Sequence, residues 1–264
     1  NQLQTGKKID KPSDDPLVAI KGMNYRTEVS RVQQYQRNLN EVENWYDNTD
    51  SALDKATSAL QRVRELAIQA SSDTNEQGDR ESIQMEVEQL KMHLVDVANT
   101  NVNDKFIFNG TNTDTPPFND QGQPTGELNN EPVMIAISDE TTLQANLRAE
   151  EVFGGTEGVF ATIDRFITRL ENGENVEASI SDLDEGIDQI INARADLGAR
   201  MNRLDLIDNR LSEQEILVTR SMSENGDVDY AEAITNLITQ ESIHRAALAA
   251  GSRIIQPSLV DFLR

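Results

Sequence analysis

Leu183, Ile190, Leu197, Leu204, Leu211 and Val218 fall seven residues apart along the second half of the chain. A strict seven-residue apolar repeat predicts a helix whose buried seam faces another helix along its whole length. At about 1.5 Å per residue the six positions cover roughly 50 Å, well beyond an ordinary globular helix. A matching pattern lies nearer the N-terminus. Neither Gly nor Pro occurs between Met23 and Gln77, and Val29, Val32, Leu39, Leu53, Leu60, Val63 and Ala70 hold three-four spacings. One long helix goes out and another comes back.

Punctuation along the chain sets the remaining elements. In Lys11 to Pro16, KPSDDP, Asp15 is placed to cap a helix and Pro16 suits its first turn, where a missing N–H costs nothing. The helix then runs to about Ala70, with Gly22 its weak point. Ser71 to Gly78 reads as a loop. Asp79 is expected to cap the next helix, whose stripe is Ile83, Val87, Leu90, Leu94 and Val97. From Asn101 to about Asn146 the composition changes: four of the seven prolines lie there with Asn109-Gly110 and several Asp/Asn turn signals. Lys105 to Phe108 and Val133 to Ile137 are the strand candidates. A short helix with Phe160, Ile163, Ile167 and Leu170 on one face should stop at Gly173. The ladder helix is expected from about Ser179 to Met222, broken by Asn225-Gly226-Asp227, and a last helix over roughly Tyr230 to Ala250.

These elements predict a mainly α fold with an inserted β-rich domain: an elongated antiparallel helical bundle or coiled coil formed by N- and C-terminal arms. The helical part comprises residues 1–102 and 155–264, its last portion, about 228–264, being a terminal inner-layer helix. The inserted part is 103–154. A hydrophobic content of 37% with 5% aromatics suits thin bundles better than one thick core. The net charge of −22 argues against nucleic acid and against an anionic membrane surface. With no cysteine, neither a disulfide nor a thiolate metal site is available. No stretch approaches the roughly 20 apolar residues of a membrane span, so no membrane partner is expected. The first residue is Asn1, and Asn1 to Lys8 reads as the tail of an earlier polar helix, so trimming of the natural start is expected.

Candidate chemistry is sparse. His93 and His244 stand alone on helices; His93 lacks the second histidine at i+4 that a zinc-binding helix needs. Asp182 and Glu185 fit a solvated helix face better than an acid–base couple. Gly154-Gly155-Thr156-Glu157-Gly158 lacks the Lys-Ser/Thr ending of a phosphate-cradling loop and reads as a hinge. Asn109-Gly110-Thr111 fits a glycosylation triplet, and turn chemistry explains it equally well. No catalytic residue, cofactor or metal is expected.

Five segments, GKKIDKPSDDPLVA (Gly6–Ala19), LQRVRELAIQA (Leu60–Ala70), DRESIQMEVEQLK (Asp79–Lys91), ARADLGARMNRLD (Ala193–Asp205) and DVDYAEAITNL (Asp227–Leu237), together resemble the flagellin superfamily of bacterial flagellar proteins, in order and on both arms. NDKFIFNGTNTDTPPF (Asn103–Phe118) and the ending QPSLVDFLR (Gln256–Arg264) are similar to its hook-associated branch, whose members join hook to filament. The resemblance implies an exported, extracellular structural subunit of the flagellum, assembling as a homo-oligomer. It implies a neighbouring hook-associated protein, flagellin and an export chaperone as partners; a filament flagellin is the alternative. It also implies that the first family helix is missing apart from its last turns. The last helix, with Ile234, Leu237, Ile238, Leu248 and Ile254, is then expected to be poorly ordered or to dock on another copy. The stretch matching Leu60–Ala70 includes, in flagellins, surface read by an innate receptor. Here Gln61, Arg62, Glu65 and Gln69 would face outward, and a polar face kept for subunit packing is the preferred reading. A signalling coiled coil, the reading from another class, would lack the strand region.

Overall fold

The structure is a computed structural model that describes residues 2–9, 11–71, 77–155 and 157–255, with side chains near the end described through Gly251. It is mainly α. In order the elements are α1 (Gln2–Thr5), α2 (Pro16–Ala70), α3 (Gln77–Ala98), β1 (Asn101–Val102), β2 (Lys105–Phe106), β3 (Met134–Ala136), β4 (Thr142–Gln144), α4 (Ala149–Phe153), α5 (Val159–Glu171), α6 (Glu177–Gly226) and α7 (Tyr230–Ile255). Two compact units emerge: residues 1–33 with 212–264, and residues 34–211. Each is described separately below.

In the first unit, helix starts and stops follow local chemistry. Asp15 Oδ1 accepts from the Leu17 and Val18 amides at 3.0 and 3.1 Å, so the carboxylate caps α2 with Pro16 in its first turn. Gly22 does not break α2, which is helical throughout. Near the end of α6, Asn225 Nδ2 donates to the Val18 carbonyl at 3.0 Å, and Gln33 Nε2 donates to Glu215 at 2.9 Å. As α2 advances its partners on α6 recede, so the two run antiparallel here. Asp229 caps α7 through the Ala231 and Glu232 amides.

The second unit holds the main core. Along α2 and α6, Arg194 reaches Asp50 and Asp54, and Arg64 reaches Asp184. Again the order reverses, so α2 and α6 are antiparallel. Val42, Trp45, Tyr46, Ala56 and Ala59 join the expected seam residues in being buried. Ile83, Val87, Leu94 and Val97 of α3 are buried, and Leu90 is half-buried. Asp79 lies inside the first turn of α3 rather than before it, because the helix begins at Gln77. The loop expected at Ser71–Gly78 falls largely on residues outside those described.

The inserted region is shorter in strand than the pattern predicts. Its strands form two antiparallel pairs, β1–β2 and β3–β4. Lys105–Phe108 is strand only as far as Phe106, although the Ile107 amide still donates to the Thr100 carbonyl opposite it. Phe108 then accepts from the Ala149 amide and buries its ring. Asn103 and Asp104, at φ +53° and +61°, make the two-residue turn between β1 and β2, the left-handed pair that suits a right-twisted hairpin. Four phenylalanines, Phe108, Phe118, Phe153 and Phe160, form one cluster with ring centroids 4.9–5.9 Å apart. Asn99 holds it in place, donating to the Phe118 carbonyl and accepting from its amide. Gly122, at φ +77°, packs against the Phe160 ring, where a Cβ would come within 2.8 Å. In α5 the buried face includes Phe166, while Ile167, expected there, is half-buried.

Candidate functional site

The candidate surfaces are those that pack helices and present them. The seam residues sit as follows. Leu183, Ile190, Leu197, Leu204 and Leu211 of α6 and Leu53, Leu60 and Val63 of α2 are buried in the second unit, and Val218 of α6 is buried in the first. Ile187 and Ile207 are buried beside them.

The charged flank of this seam was not foreseen. Arg194 occupies the position between Ile190 and Leu197 where a two-column seam expects an apolar residue. Its guanidinium forks, Nε to Asp50 Oδ1 at 2.7 Å and Nη1 to Asp54 Oδ1 at 2.7 Å. Those two hydrogen bonds, Asp50's first, hold the guanidinium proton more tightly than usual. Asp50 and Asp54 are four apart on α2, and so share a face; that spacing, opposite an arginine inside a heptad, is the signal that could have revealed it. Arg64–Asp184 is a second link across the same two helices with the charges exchanged, the arginine on α2 and one carboxylate on α6. Lys91 to Asp164, at 2.6 Å, ties α3 to α5.

The strand region is fixed to α2 by polar contacts. Tyr46 donates to the Gln144 carbonyl at 2.6 Å, Asn38 to the Ala136 carbonyl at 2.6 Å, and Tyr35 to Asp139 at 2.6 Å. Burial pushes the Tyr46 phenol above its ordinary pKa, which keeps it a donor.

Gln61, Arg62, Glu65 and Gln69 are exposed on α2. Arg62 pairs with Glu86 of α3 at 2.7 Å and with Glu65 at 3.0 Å, so it is engaged in joining two helices of its own chain. On α7, Ile234, Leu237, Ile238 and Leu248 are all exposed, while the Ile254 side chain lies outside the described residues. The ends of this helix and of α1 are stitched together. Lys7 and Asp227 face each other in an antiparallel bridge and pair at 2.6 Å, and Val228 donates to the Gly6 carbonyl. Lys7, with help from the Ser223 hydroxyl, holds the Asp227 carboxyl below the usual carboxylate range.

His93 and His244 are exposed, and the described residues contain no metal-holding cluster. Asp182 lies near Arg165, and Glu185 is exposed. Asn109 is buried and donates its amide to the Thr115 carbonyl at 3.0 Å, so turn chemistry accounts for the Asn109-Gly110-Thr111 triplet. In the glycine-rich stretch, Gly154 is left-handed at φ +71° and ends α4.

Two long helical arms, antiparallel within each unit, with a strand-bearing insertion define a class. Residues 1–113 match the bacterial flagellin N-terminal helical region and residues 180–263 the bacterial flagellin C-terminal helical region, and the chain belongs to the flagellin family. Within it, the chain is 26% identical to flagellar hook-associated protein 3 of Escherichia coli, over 94% of this chain and 87% of that one. It is 29% identical to flagellin FlaB1 of Treponema pallidum over 77% of this chain and 69% of the relative. A solved structure described as a flagellar hook-associated protein from Vibrio parahaemolyticus superposes with a TM-score of 0.75 at 26% identity. That match covers 81% of this chain and 100% of the other.

Proposed function

We propose that this chain is a structural subunit of the bacterial flagellum that joins hook to filament through helical self-assembly. The observation that carries the reading is the match to hook-associated proteins over nearly the whole chain in sequence, joined to the fold they share. The action is mechanical, with no reaction catalysed. Long helices offer repeated weak contacts, and many identical copies arranged around one axis sum them without strong pairwise affinity.

In this reading residues 1–102 and 155–264 form the helical body and 103–154 the inserted lobe. The buried seam keeps each subunit rigid, while Ile234, Leu237, Ile238, Leu248 and Ile254 of the last helix pack in the assembled ring. The subunit is exported, lies outside the cell, and meets a neighbouring hook-associated protein and flagellin, with a chaperone guarding it before export. Gln61, Arg62, Glu65 and Gln69 serve packing rather than an innate receptor, a reading supported by the Arg62–Glu86 pair. Deleting the gene and examining cells by electron microscopy tests the proposal. Hooks without filaments, and flagellin released to the medium, are expected; cells that keep attached filaments would overturn it. A filament flagellin, the reading favoured by the Treponema pallidum relative, predicts instead that the purified full-length chain grows long filaments unaided.

A further inference from the structure

The charge of the chain is unevenly shared. Residues 34–211 hold 34 acidic and 14 basic side chains, a net −20, whereas residues 1–33 with 212–264 hold 12 and 10, a net −2. Within the nearly neutral unit, residues 1–33 are net basic.

A groove of about 330 Å³ lies in that basic part, between the segment before α2, the start of α2 and the end of α6. Val18 and Met222 in its lining are half-buried, and Met23 is 58% exposed. Lys11 and Arg26 also line it, both exposed and without an ion pair among the described residues, whereas Lys7 is taken by Asp227. The described lining contains no carboxylate. An apolar trough edged by two free cations selects an occupant that brings exposed apolar side chains flanked by carboxylates.

The chain itself carries such a surface. On α3, Glu81, Met85, Glu88, Met92 and Asp96 are exposed at spacings of four, three, four and four. At 100° per residue they occupy one stripe about 80° wide and, at 1.5 Å per residue, roughly 22 Å long. Met85 and Met92 are 61% and 47% exposed. No lysine or arginine interrupts the stripe, and Glu81 and Asp96 pair with nothing among the described residues; Glu88 accepts from Gln84. Methionine is unusually adaptable in a contact that must form and reform.

We propose that the acidic methionine stripe of α3 in one copy docks on the basic-edged groove at the start of α2 in another. The contact uses two different patches, so it is heterologous and propagates from copy to copy, closing into a ring or continuing as a helix. This rests on the reading that copies of the chain assemble. It adds which surface meets which, and predicts that salt weakens the contact.

The natural absence of cysteine gives a clean test. Met23→Cys and Met85→Cys are placed in separate full-length chains, mixed, and oxidised, with circular dichroism confirming that each stays helical. The mixed 23–85 disulfide should exceed either same-site disulfide by about tenfold, as a heterologous contact demands. Adding Lys11→Glu and Arg26→Glu to the first chain should cut the yield about fivefold or more, and Glu81→Lys with Glu88→Lys in the second should restore it. Same-site disulfides in equal or greater amount, no mixed product, or a yield indifferent to charge reversal would each overturn the proposal. Those results leave the junction reading intact where the gene deletion still strips filaments from hooks.

Discussion

The ladder of α6 and the apolar residues of α7 are chemically alike, yet they end in opposite places. Leu183 to Leu211 are buried against the second unit's core, while Ile234, Leu237, Ile238 and Leu248 are exposed. What separates them is the partner. α6 faces a helix with a matching stripe and with carboxylates set to meet Arg194; among the described elements α7 meets the four-residue α1, too short to cover its apolar side chains. An apolar stripe makes a core only where a second stripe answers it. Otherwise it remains exposed.

Replacing one residue from each helix breaks this comparison most sharply. Leu197→Ala should cost about 2–5 kcal/mol through lost burial and a residual cavity, read as a lower urea midpoint by circular dichroism. Ile238→Ala should change monomer stability by about 0.5 kcal/mol or less while weakening assembly seen by sedimentation. Equal destabilisation at both sites would contradict the distinction.

Smaller effects sharpen it. Asp15→Ala removes the cap of α2 and should cost about 1 kcal/mol, with faster hydrogen exchange at the Leu17 and Val18 amides and little change at Leu53. Arg194→Met should cost about 1 kcal/mol or less, since the pairs are partly exposed, and the loss should shrink in 1 M salt as screening removes what the pairs contributed. The smallest effect concerns the stitch between the ends of α1 and α7. Asp227 has a lowered folded-state pKa, so its contribution is present above the ordinary carboxylate range and lost as pH falls through the lowered value. Protection of the Val228 amide, relative to its intrinsic exchange rate, should fall in acid below about pH 4, and Asp227→Asn should flatten that dependence.

Much of this was legible in sequence because long helices write themselves in period and punctuation. The heptad column, the Gly- and Pro-free run to Gln77 and the Asp15-Pro16 start all depend on neighbours within a few turns. The strand region was harder. Lys105–Phe108 has strand-like residues, but Phe108 is claimed by a cluster drawn from Phe118, Phe153 and Phe160, far apart in the chain. No local rule announces that competition. Phe166 rather than Ile167 lies on the buried face of α5 because Val159, Ile163, Phe166 and Leu170, spaced four, three and four, form its centre and Ile167 falls at its edge. Arg194 was missed for a related reason: a cation inside an apolar column looks like an error until Asp50 and Asp54 are set opposite it.

Distances between spin labels in the full-length chain test the antiparallel pairing of α2 and α6 directly. With cysteines introduced pairwise at positions 54 and 194, 64 and 184, 54 and 184, and 64 and 194, the first two pairs should be the short ones. The last two should be offset by about 15 Å along the helix axis, ten residues at 1.5 Å each. Short distances for 54–184 and 64–194, with long ones for 54–194 and 64–184, would show the helices running the same way and contradict the account.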